Sequence, residues 1–433
     1  MAPEARNSQA HAGPLEGYRV LELGNLVAAP FAGRLFAEFG AEVIKVERPG
    51  TGDELRQWRR FGSGDSLWWQ LSSRNKKSIT LDLRRPEGQE LALELVRRSD
   101  VVLENFRPGT LEKWNLGPDA MRAVNPDVIL VRISGYGQTG PYRDRPGFGG
   151  VAEAMGGIRY LTGYPDRPPT RVGISLGDSL AGMFGVIGAL MALLRREKAR
   201  SRDGGGGGQD RSPARGLGDG LPGTGQVVDV ALYEAVFALM EGLVPEYDGY
   251  GIVRERTGNR IPGVAPSSTY PCSDGHWIVI GGNGDRVFPR LMRAIGREDL
   301  AQDPRFQDNP GRAAHQDFLD DVIAGWTSQR PLEEALRAMV EAGVPAGPIY
   351  SAAQIVEDPH FQARGMLETH RARLGDGVER EVRFPGVVPK LDRTPGGVRW
   401  LGPELGAHND EIYCGLLGLD PERLARLKEQ GVI

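Results

Sequence analysis

YRVLELGNLVAAPFAGRLFAEFGAEVIKVE, residues 18–47, is the stretch that decides the fold. Its outer segments, YRVLEL and AEVIKVE, are short apolar runs typical of buried strands. A helix is predicted between them from about Pro30, because proline suits a first helical turn, and Gly40 is a typical helix end. Together these segments predict a βαβ unit, the usual element of a parallel sheet covered by helices.

The same alternation continues to residue 137. Further strands are predicted at SITLDL (78–83), DVVLEN (100–105) and DVILVRISGYG (127–137), with helices at PEGQELALELVRRS (86–99) and PDAMRAVN (118–125). Five strands that alternate with helices predict an open, mostly parallel α/β sheet. In such a sheet, ligands are expected at the C-terminal ends of the strands.

The length of 433 residues predicts two domains rather than one core. The N-terminal part of a large domain is expected over 15–200, and a smaller α/β domain over 251–347, with the chain returning to the large domain over 348–433. Residues 201–224, rich in glycine, proline and charge, predict a flexible insertion. A linker helix is expected over 225–250.

Composition narrows the class of protein. The formal net charge is -4 with both signs interspersed, which argues against a nucleic-acid partner. Two distant cysteines, Cys272 and Cys414, give neither a disulfide framework nor metal-ligand spacing. The N-terminus lacks the basic and apolar segments of a signal peptide, and no run of 18 apolar residues is present. We therefore expect a cytoplasmic protein with no metal site and no membrane partner.

GISLGDSLAG, residues 173–182, places one carboxylate, Asp178, before a long apolar segment of helical length. Arg171–Leu176 resembles a short buried strand, so Asp178 is expected at or next to a helix N-terminus. The positive end of the helix dipole favours an ionised carboxylate there, and Gly177 leaves room for a ligand. From these residues alone, Asp178 is either an N-cap or a nucleophile.

Other chemistries have little support in the sequence. A GxGxxG string occurs at Gly135, Gly137 and Gly140, but prolines and further glycines follow it where a dinucleotide site needs a helix. No HExxH, CxxC or GxSxG motif is present, and none of the six histidines is near Asp178 in sequence. Basic residues follow several predicted strands and are suited to a polyphosphate such as coenzyme A; they are Arg48, Arg107, Lys113, Arg143 and Arg145.

Eight segments in this order resemble the class III CoA-transferases, the formyl-CoA transferase and carnitine CoA-transferase family, from Gly17 to Ile433. They are LVAAPFAGRLFAEFGAEVIKVERPGTGD, RNKKSITLDL, ENFRPGTLEK, GYGQTGPYRDRPGF, GISLGDSLAGM, GQVVDVALYEA, AGVPAGPIY and LGAHNDEIYCGLLG. The resemblance implies an interlocked homodimer. Each subunit would have a Rossmann-like large domain, built from both chain ends, and a smaller α/β domain. It also implies that Asp178 is the nucleophile.

Site residues follow from the same resemblance. The implied coenzyme A contacts are Val27, Ala28, Arg48, Leu81, Arg84, Asn105, Phe106, Arg107, Lys113, Arg145 and Phe148. The implied acyl pocket contains Trp58, Trp68 and Phe148, whereas oxalate-using members have hydrogen-bonding residues at the positions of Val27, Trp68 and Phe148. Oxalate is therefore a poor expected substrate. The family's glycine loop over the aspartate has no match in the small domain, and the glycines Gly263, Gly281, Gly282 and Gly284 are weak substitutes for it.

The expected function is transfer of CoA from an acyl-CoA donor such as succinyl-CoA to a small carboxylic acid, through a covalent intermediate on Asp178. Two alternatives remain open. One is an α-methylacyl-CoA racemase, which resembles this family but needs a histidine opposite the aspartate. No histidine occurs between His11 and His276. The other is a non-catalytic protein that binds coenzyme A.

Overall fold

The computed structural model describes residues 13–62, 66–203 and 223–433. Its strands are β1 Arg19–Glu22, β2 Glu42–Glu47, β3 Lys76–Thr80, β4 Val101–Glu104, β5 Ile129–Ser134, β6 Gln226–Ala231, β7 Ser267–Pro271, β8 Trp277–Gly281, β9 Ala346–Pro348, β10 Leu367–Arg373 and β11 Glu379–Pro385. Its α-helices are α1 Ala28–Glu38, α2 Leu67–Ser72, α3 Pro86–Arg97, α4 Thr110–Lys113, α5 Pro118–Val124, α6 Gly149–Met155, α7 Ile158–Leu161, α8 Leu176–Asp203, α9 Leu232–Phe237, α10 Leu243–Tyr250, α11 Phe288–Ala294, α12 Glu298–Ala301, α13 Asn309–Ala314, α14 Gln316–Thr327, α15 Leu332–Glu341, α16 Ala352–Glu357, α17 Pro359–Ala363 and α18 Pro421–Glu429. Short 3-10 helices occupy Glu54–Arg56 and Pro304–Phe306, and a π-helix occupies Glu411–Leu416.

A six-stranded sheet organises the larger of two compact units. This unit contains the described residues up to Ile158, those of Val172–Met240, and Ala363–Ile433. The strand order is β3-β2-β1-β4-β5-β6, and each neighbouring pair is parallel. The five strands predicted from the sequence are confirmed, and the order is that of a Rossmann-like sheet. The predicted α/β class is therefore correct.

The C-terminal segment completes the large unit. The Tyr413 hydroxyl donates a hydrogen bond of 2.8 Å to the backbone oxygen of Thr80, at the end of β3. The Asp82 amide donates to the Val432 oxygen at 2.8 Å. Buried side chains from β1–β4, α3 and the last two helices form one apolar core with them, including Leu21, Ile44, Leu95, Tyr413 and Leu427. Both ends of the chain thus contribute to this unit.

Two sequence expectations are corrected around α8. The expected linker helix over 225–250 begins as strand β6, because the β-branched segment QVVDVA pairs with β5 from Gln226 to Ala231, and only then do α9 and α10 follow. Residues 171–175 form no strand, since Ile174 is 63% exposed and α8 begins at Leu176. Of the expected insertion at 201–224, residues 201–203 end α8, and 204–222 lie outside the described residues.

The smaller unit comprises Arg159–Arg171 and Glu241–Gln362. Strands β7 and β8 form an antiparallel hairpin within the segment STYPCSDGHWIVIGG, and β9 pairs with the other edge of β8. Side chains of α11, α14 and α15 cover one face of this sheet and form its core, including Ile278, Ile280, Leu291, Leu319 and Met339.

Helix α8 is apolar and packs closely against α1 and against strands β5 and β6 of the sheet. A Cβ at Gly182 would lie 2.8 Å from the Ala28 oxygen, one at Gly185 would lie 3.1 Å from Val131, and one at Gly188 would lie 2.5 Å from Val228. Its opposite face exposes Met183, Phe184, Ile187, Leu190, Met191 and Leu194. By length and composition alone, Leu176–Ser201 could cross a membrane, but half of its most apolar window is buried within the protein. Core helices of water-soluble proteins share these properties.

Candidate active site

The strand order reverses between β1 and β4, which are neighbours in the sheet although two strands separate them in sequence. Ligands of open α/β sheets bind outside the carboxyl ends of the strands at such a point. The Asn105 side chain joins the two loops that leave there. Its Oδ1 accepts from the Asn25 amide and its Nδ2 donates to the Asn25 oxygen, both at 2.8 Å. The structure therefore ties the loop that leads to Val27 and Ala28 to the loop that contains Asn105.

Most of the other implied coenzyme A contacts lie at the same edge of the sheet. Arg48 follows β2, Leu81 follows β3, and Arg145 and Phe148 lie on the segment after β5. These strands are parallel, so their carboxyl ends meet at one edge. The charged residues among the implied coenzyme A contacts are all exposed. The full group of implied contacts is Val27, Ala28, Arg48, Leu81, Arg84, Asn105, Phe106, Arg107, Lys113, Arg145 and Phe148.

Two of the basic residues already have local partners. Arg84 binds Asp82 through two hydrogen bonds of 2.8 and 2.7 Å, which hold the pKa of that carboxyl below its usual range. The Arg145 guanidinium lies 3.5 Å from the centre of the Tyr142 ring. A polyphosphate at this edge would compete with Asp82 for Arg84. Stacking on Tyr142 uses only the face of the Arg145 guanidinium, so its N–H groups could still donate hydrogen bonds to a phosphate.

Asp178 is the third residue of α8, and its side chain is half-buried. A Cβ placed on Gly149 would lie only 2.0 Å from Asp178 Oδ2 and 2.8 Å from its Cγ. The Gly177 amide donates to Glu153 Oε1 at 3.3 Å, so α6 supports the start of α8. The residue before α8 is Ser175, so the interpretation of Asp178 as the N-cap is wrong; the expected position near the helix N-terminus is confirmed.

Two of the three aromatic residues of the implied acyl pocket, Trp58 and Trp68, lie next to each other. The ring centres of Trp58 and Trp68 lie 6.0 Å apart with an interplanar angle of 49°. Trp69 is instead fully buried beneath the Arg56 guanidinium, 3.8 Å from the ring centre. Phe148 immediately precedes α6 and is 67% exposed. Trp58 and Trp68 thus form one surface, and Trp69 belongs to the core.

Two of the glycines proposed for an oxyanion site are unsuitable. The Gly281 amide donates to the Pro345 oxygen at 2.9 Å, and the Gly282 amide donates to the Pro266 oxygen at 2.8 Å. Because these N–H groups already hold the small sheet together, they are not available to a developing oxyanion. The structure therefore gives no support to Gly281 and Gly282 as substitutes for the family's oxyanion loop.

Sequence reasoning missed the buried carboxylates at the strand ends. Glu22, Glu47 and Glu104 end β1, β2 and β4, and each is at most 1% exposed. Glu104 accepts from Arg132 Nε at 2.7 Å and from the Phe106 amide at 2.8 Å. Burial raises the pKa of Glu104 to about 7 despite Arg132. The sequence did contain a sign of these buried carboxylates, because VLEL, VIKVE and VVLEN each carry a glutamate within or after an apolar run.

Within 13–62, 66–203 and 223–433, no group of three or more His, Cys, Asp or Glu side chains is arranged to hold a metal ion. Cys272 is buried and Cys414 is partly buried, and neither forms a disulfide.

Comparisons with known proteins match this architecture. The model of CoA-transferase family III matches residues 15–210 and 218–409. The succinyl-CoA–D-citramalate CoA-transferase of Chloroflexus aurantiacus is 52% identical, covering 99% of this chain and 100% of its own. The β subunit of the succinyl-CoA–L-malate CoA-transferase of the same organism is 41% identical, covering 97% and 98%. A crystal structure of a CaiB/BaiF family protein from Brucella suis superposes with a TM-score of 0.77 at 31% identity, covering 94% and 100%.

These matches extend over nearly the whole chain. The chain belongs to CoA-transferase family III, as the sequence motifs indicated. It is an enzyme of CoA transfer, and its family acts on CoA thioesters.

Proposed function

We propose that this enzyme moves CoA from succinyl-CoA to a small hydroxy-dicarboxylic acid of the citramalate or malate type. Support comes from the two Chloroflexus relatives, whose names specify succinyl-CoA as donor and citramalate or malate as acceptor. The single structural observation that carries the mechanism is the carboxylate of Asp178, which lies in the first turn of α8 directly against Gly149. Because residue 149 is glycine, the Asp178 carboxylate can occupy this position, which the Cβ of any other residue would obstruct.

Asp178 acts as the nucleophile in this proposal. One carboxylate oxygen attacks the thioester carbonyl carbon, the C–S bond breaks, and a mixed anhydride and CoA thiolate form. The thiolate then attacks the aspartyl carbonyl and releases succinate, leaving Asp178 as a CoA thioester. The acceptor carboxylate attacks that thioester and expels the thiolate again. Attack of the thiolate on the acceptor carbonyl yields the new acyl-CoA and restores the Asp178 carboxylate.

The helix terminus supports this chemistry electrostatically. Partial positive charge at the start of α8 favours the ionised form of Asp178, which is the nucleophilic form. It also stabilises the negative charge that develops on the attacked carbonyl oxygen. With Gly281 and Gly282 occupied elsewhere, backbone amides near the start of α8 are the proposed oxyanion donors.

The carboxyl edge of the sheet is the proposed coenzyme A site. The amides of Val27 and Ala28 lie at the start of α1, where N–H groups are suited to an anionic ligand. Arg48, Arg107 and Lys113 are exposed along the same edge and supply positive charge for the phosphates. Lys113 would act as a point charge, where an arginine would bind two oxygens.

The acceptor pocket is proposed at Trp58, Trp68 and Phe148. The contact between Trp58 and Trp68 supports a common wall that excludes water from the reactive anhydride. Apolar walls suit the carbon chain of a four- or five-carbon acid better than they suit oxalate.

A cytoplasmic homodimer is proposed as the working form. The large apolar residues exposed on α8, such as Met191 at 67% and Leu194 at 56%, support a surface that a second copy covers. Two free cysteines support a reducing compartment. We also propose that the enzyme uses no metal and has no nucleic-acid or membrane partner.

A panel of acids tests the proposed substrates. Succinyl-CoA and acetyl-CoA would each be incubated with citramalate, malate, glutarate, mesaconate, itaconate and oxalate, and the new thioesters would be separated chromatographically. We expect succinyl-CoA with citramalate or malate to give the highest kcat/KM, and oxalate to give little product. Exchange of the α-proton of a 2-methylacyl-CoA in deuterated water, without any acid, would instead indicate a racemase. CoA binding without turnover of any pair would indicate a binding protein.

A further inference from the structure

Four charged side chains are completely buried beneath the turn between β1 and α1. Lys45 Nζ lies 2.8 Å from Asp53 Oδ2 and 3.2 Å from Glu22 Oε1. Lys76 Nζ lies 2.7 Å from Glu22 Oε2. All four side chains have an exposed fraction of 0%. Two ammonium groups and two carboxylates therefore form one neutral cluster, here called the turn cluster.

The turn cluster binds the backbone at three points, two in the turn and one in the first turn of α1. Lys45 Nζ donates to the Gly24 oxygen, and Lys76 Nζ donates to the Pro30 oxygen at 2.8 Å. The Leu26 amide donates to both carboxylate oxygens of Asp53, at 3.0 and 3.2 Å. Together with Asn105, these side chains fix the backbone on both sides of Val27.

Leu26 needs such support because its backbone is unfavourable for leucine. Its φ is +65°, in the left-handed region that costs a residue with a Cβ about 1 kcal/mol or more. Only interactions from the surroundings hold a non-glycine residue there. The two hydrogen bonds from the Leu26 amide to Asp53 are such interactions, and they set the direction of the next peptide groups.

Electrostatics agrees with this arrangement. Burial opposes the charge on Lys45, but Asp53, Glu22 and Glu47 outweigh it and raise the pKa of Lys45 above its ordinary value. Lys45 is therefore a permanent cation between Asp53 and the Gly24 oxygen. A buried charge cluster of this kind adds little stability compared with an apolar core of the same volume. Three of its four members, Lys45, Asp53 and Lys76, instead bind backbone groups of residues 24–30, which points to a role in holding that backbone.

We propose that Asp53 and Lys45 are positioning residues for acyl-CoA, holding Leu26 in its left-handed conformation so that the amides of Val27 and Ala28 face the ligand. This inference rests on the proposed coenzyme A site. The start of α1, directly after the turn, also contacts the helix of the nucleophile, because the Ala28 oxygen lies against Gly182, one helical turn after Asp178. The turn cluster thus fixes both the bound CoA and its distance from Asp178.

The test compares Asp53→Ala with a matched control at the other end of α1. Glu38 is equally buried and pairs with Arg74 at 2.5 Å, but its partners lie away from the turn. We expect Asp53→Ala to raise the KM for succinyl-CoA and the calorimetric Kd for CoA about tenfold, since a hydrogen bond to a charged group is lost. The KM for the acceptor acid should change less than about twofold. Glu38→Gln should lower the melting temperature comparably but leave both CoA constants within about twofold.

A second variant separates positioning from general destabilisation. Leu26→Gly in the Asp53→Ala background removes the penalty for a positive φ, so it should restore part of the lost CoA affinity. Unchanged CoA constants in Asp53→Ala, or an equal loss in Glu38→Gln, would overturn the inference. If Asp53→Ala does not fold, Asp53→Leu replaces it, since leucine fills the space but cannot accept from the Leu26 amide, and a wild-type CoA constant in that variant would overturn the inference. Failure of the wild-type enzyme to bind CoA would overturn the proposed site itself, which is a distinct result.

Discussion

Alanine at Gly149 should inactivate the enzyme while its fold remains intact. The new Cβ would lie 2.0 Å from Asp178 Oδ2, whereas ordinary contacts begin at 3.4 Å, so the oxygen must move by about 1.4 Å. Asp178 Cγ would also lie only 2.8 Å away, so the whole carboxylate must swing aside by rotation about the Cα–Cβ bond. Gly149 does not have a positive φ, and alanine is the better helix former, so α6 should tolerate the change.

We expect this substitution to lower the rate of the reaction and to leave the stability of the fold nearly unchanged. A displacement of about 1 Å in a reacting group is enough to lower the rate about 100-fold. We therefore expect kcat for CoA transfer to fall by about two orders of magnitude, or about 3 kcal/mol in activation free energy. The Kd for CoA should remain within about threefold, because the carboxyl edge of the sheet is untouched.

The assay measures initial rates of acyl-CoA formation at saturating donor and acceptor, with CoA affinity by calorimetry and melting temperature by circular dichroism. Gly173→Ala is the control, since a Cβ there meets nothing within 4 Å. It should behave like the wild type. A Gly149→Ala enzyme with more than about a third of wild-type kcat would refute the idea that the position of Asp178 against α6 governs the reaction.

Two further predictions concern stability and the segment after α8. Burial lowers the pKa of Lys76 from 10.5 to about 8, so between these pH values the unfolded chain binds more protons, and the free energy of unfolding should rise with pH by about 3 kcal/mol. Urea unfolding of Lys76→Met should lack this rise; parallel wild-type and variant curves would contradict it. Replacement of 204–222 by a short glycine-containing turn should leave turnover unchanged, because that composition cannot bury a core; a folded but inactive variant would contradict it.

The parallel sheet was predictable because its first five strands are contiguous apolar runs with helical segments between them. Strand β6 was not, because QVVDVA joins the sheet only through pairing with β5, almost a hundred residues earlier in sequence. The opposite error occurred at 171–175, where a short β-branched segment has no strand beside it within the described residues. Pairing over long sequence distances, rather than local propensity, decided both cases.

In the candidate site, too, local features could be predicted from the sequence and long-range contacts could not. The position of Asp178 near a helix start could be predicted from local sequence, and so could the strand-end positions of Arg48 and Arg107. The contact with Gly149 and the tie between Leu26 and Asp53 could not, because packing of distant segments creates them. The buried charges were missed since lysine and glutamate are ordinarily exposed.

The most direct test of the central claim is the mass of the peptide containing Asp178 after incubation with succinyl-CoA in the absence of an acceptor acid. The account predicts CoA bound to Asp178 as a thioester, which hydroxylamine converts to a hydroxamate. Asp178→Asn should show no adduct and no turnover, although it still binds CoA. An unmodified Asp178 in enzyme that transfers CoA to an added acid, or substantial turnover by Asp178→Asn, would contradict the covalent mechanism.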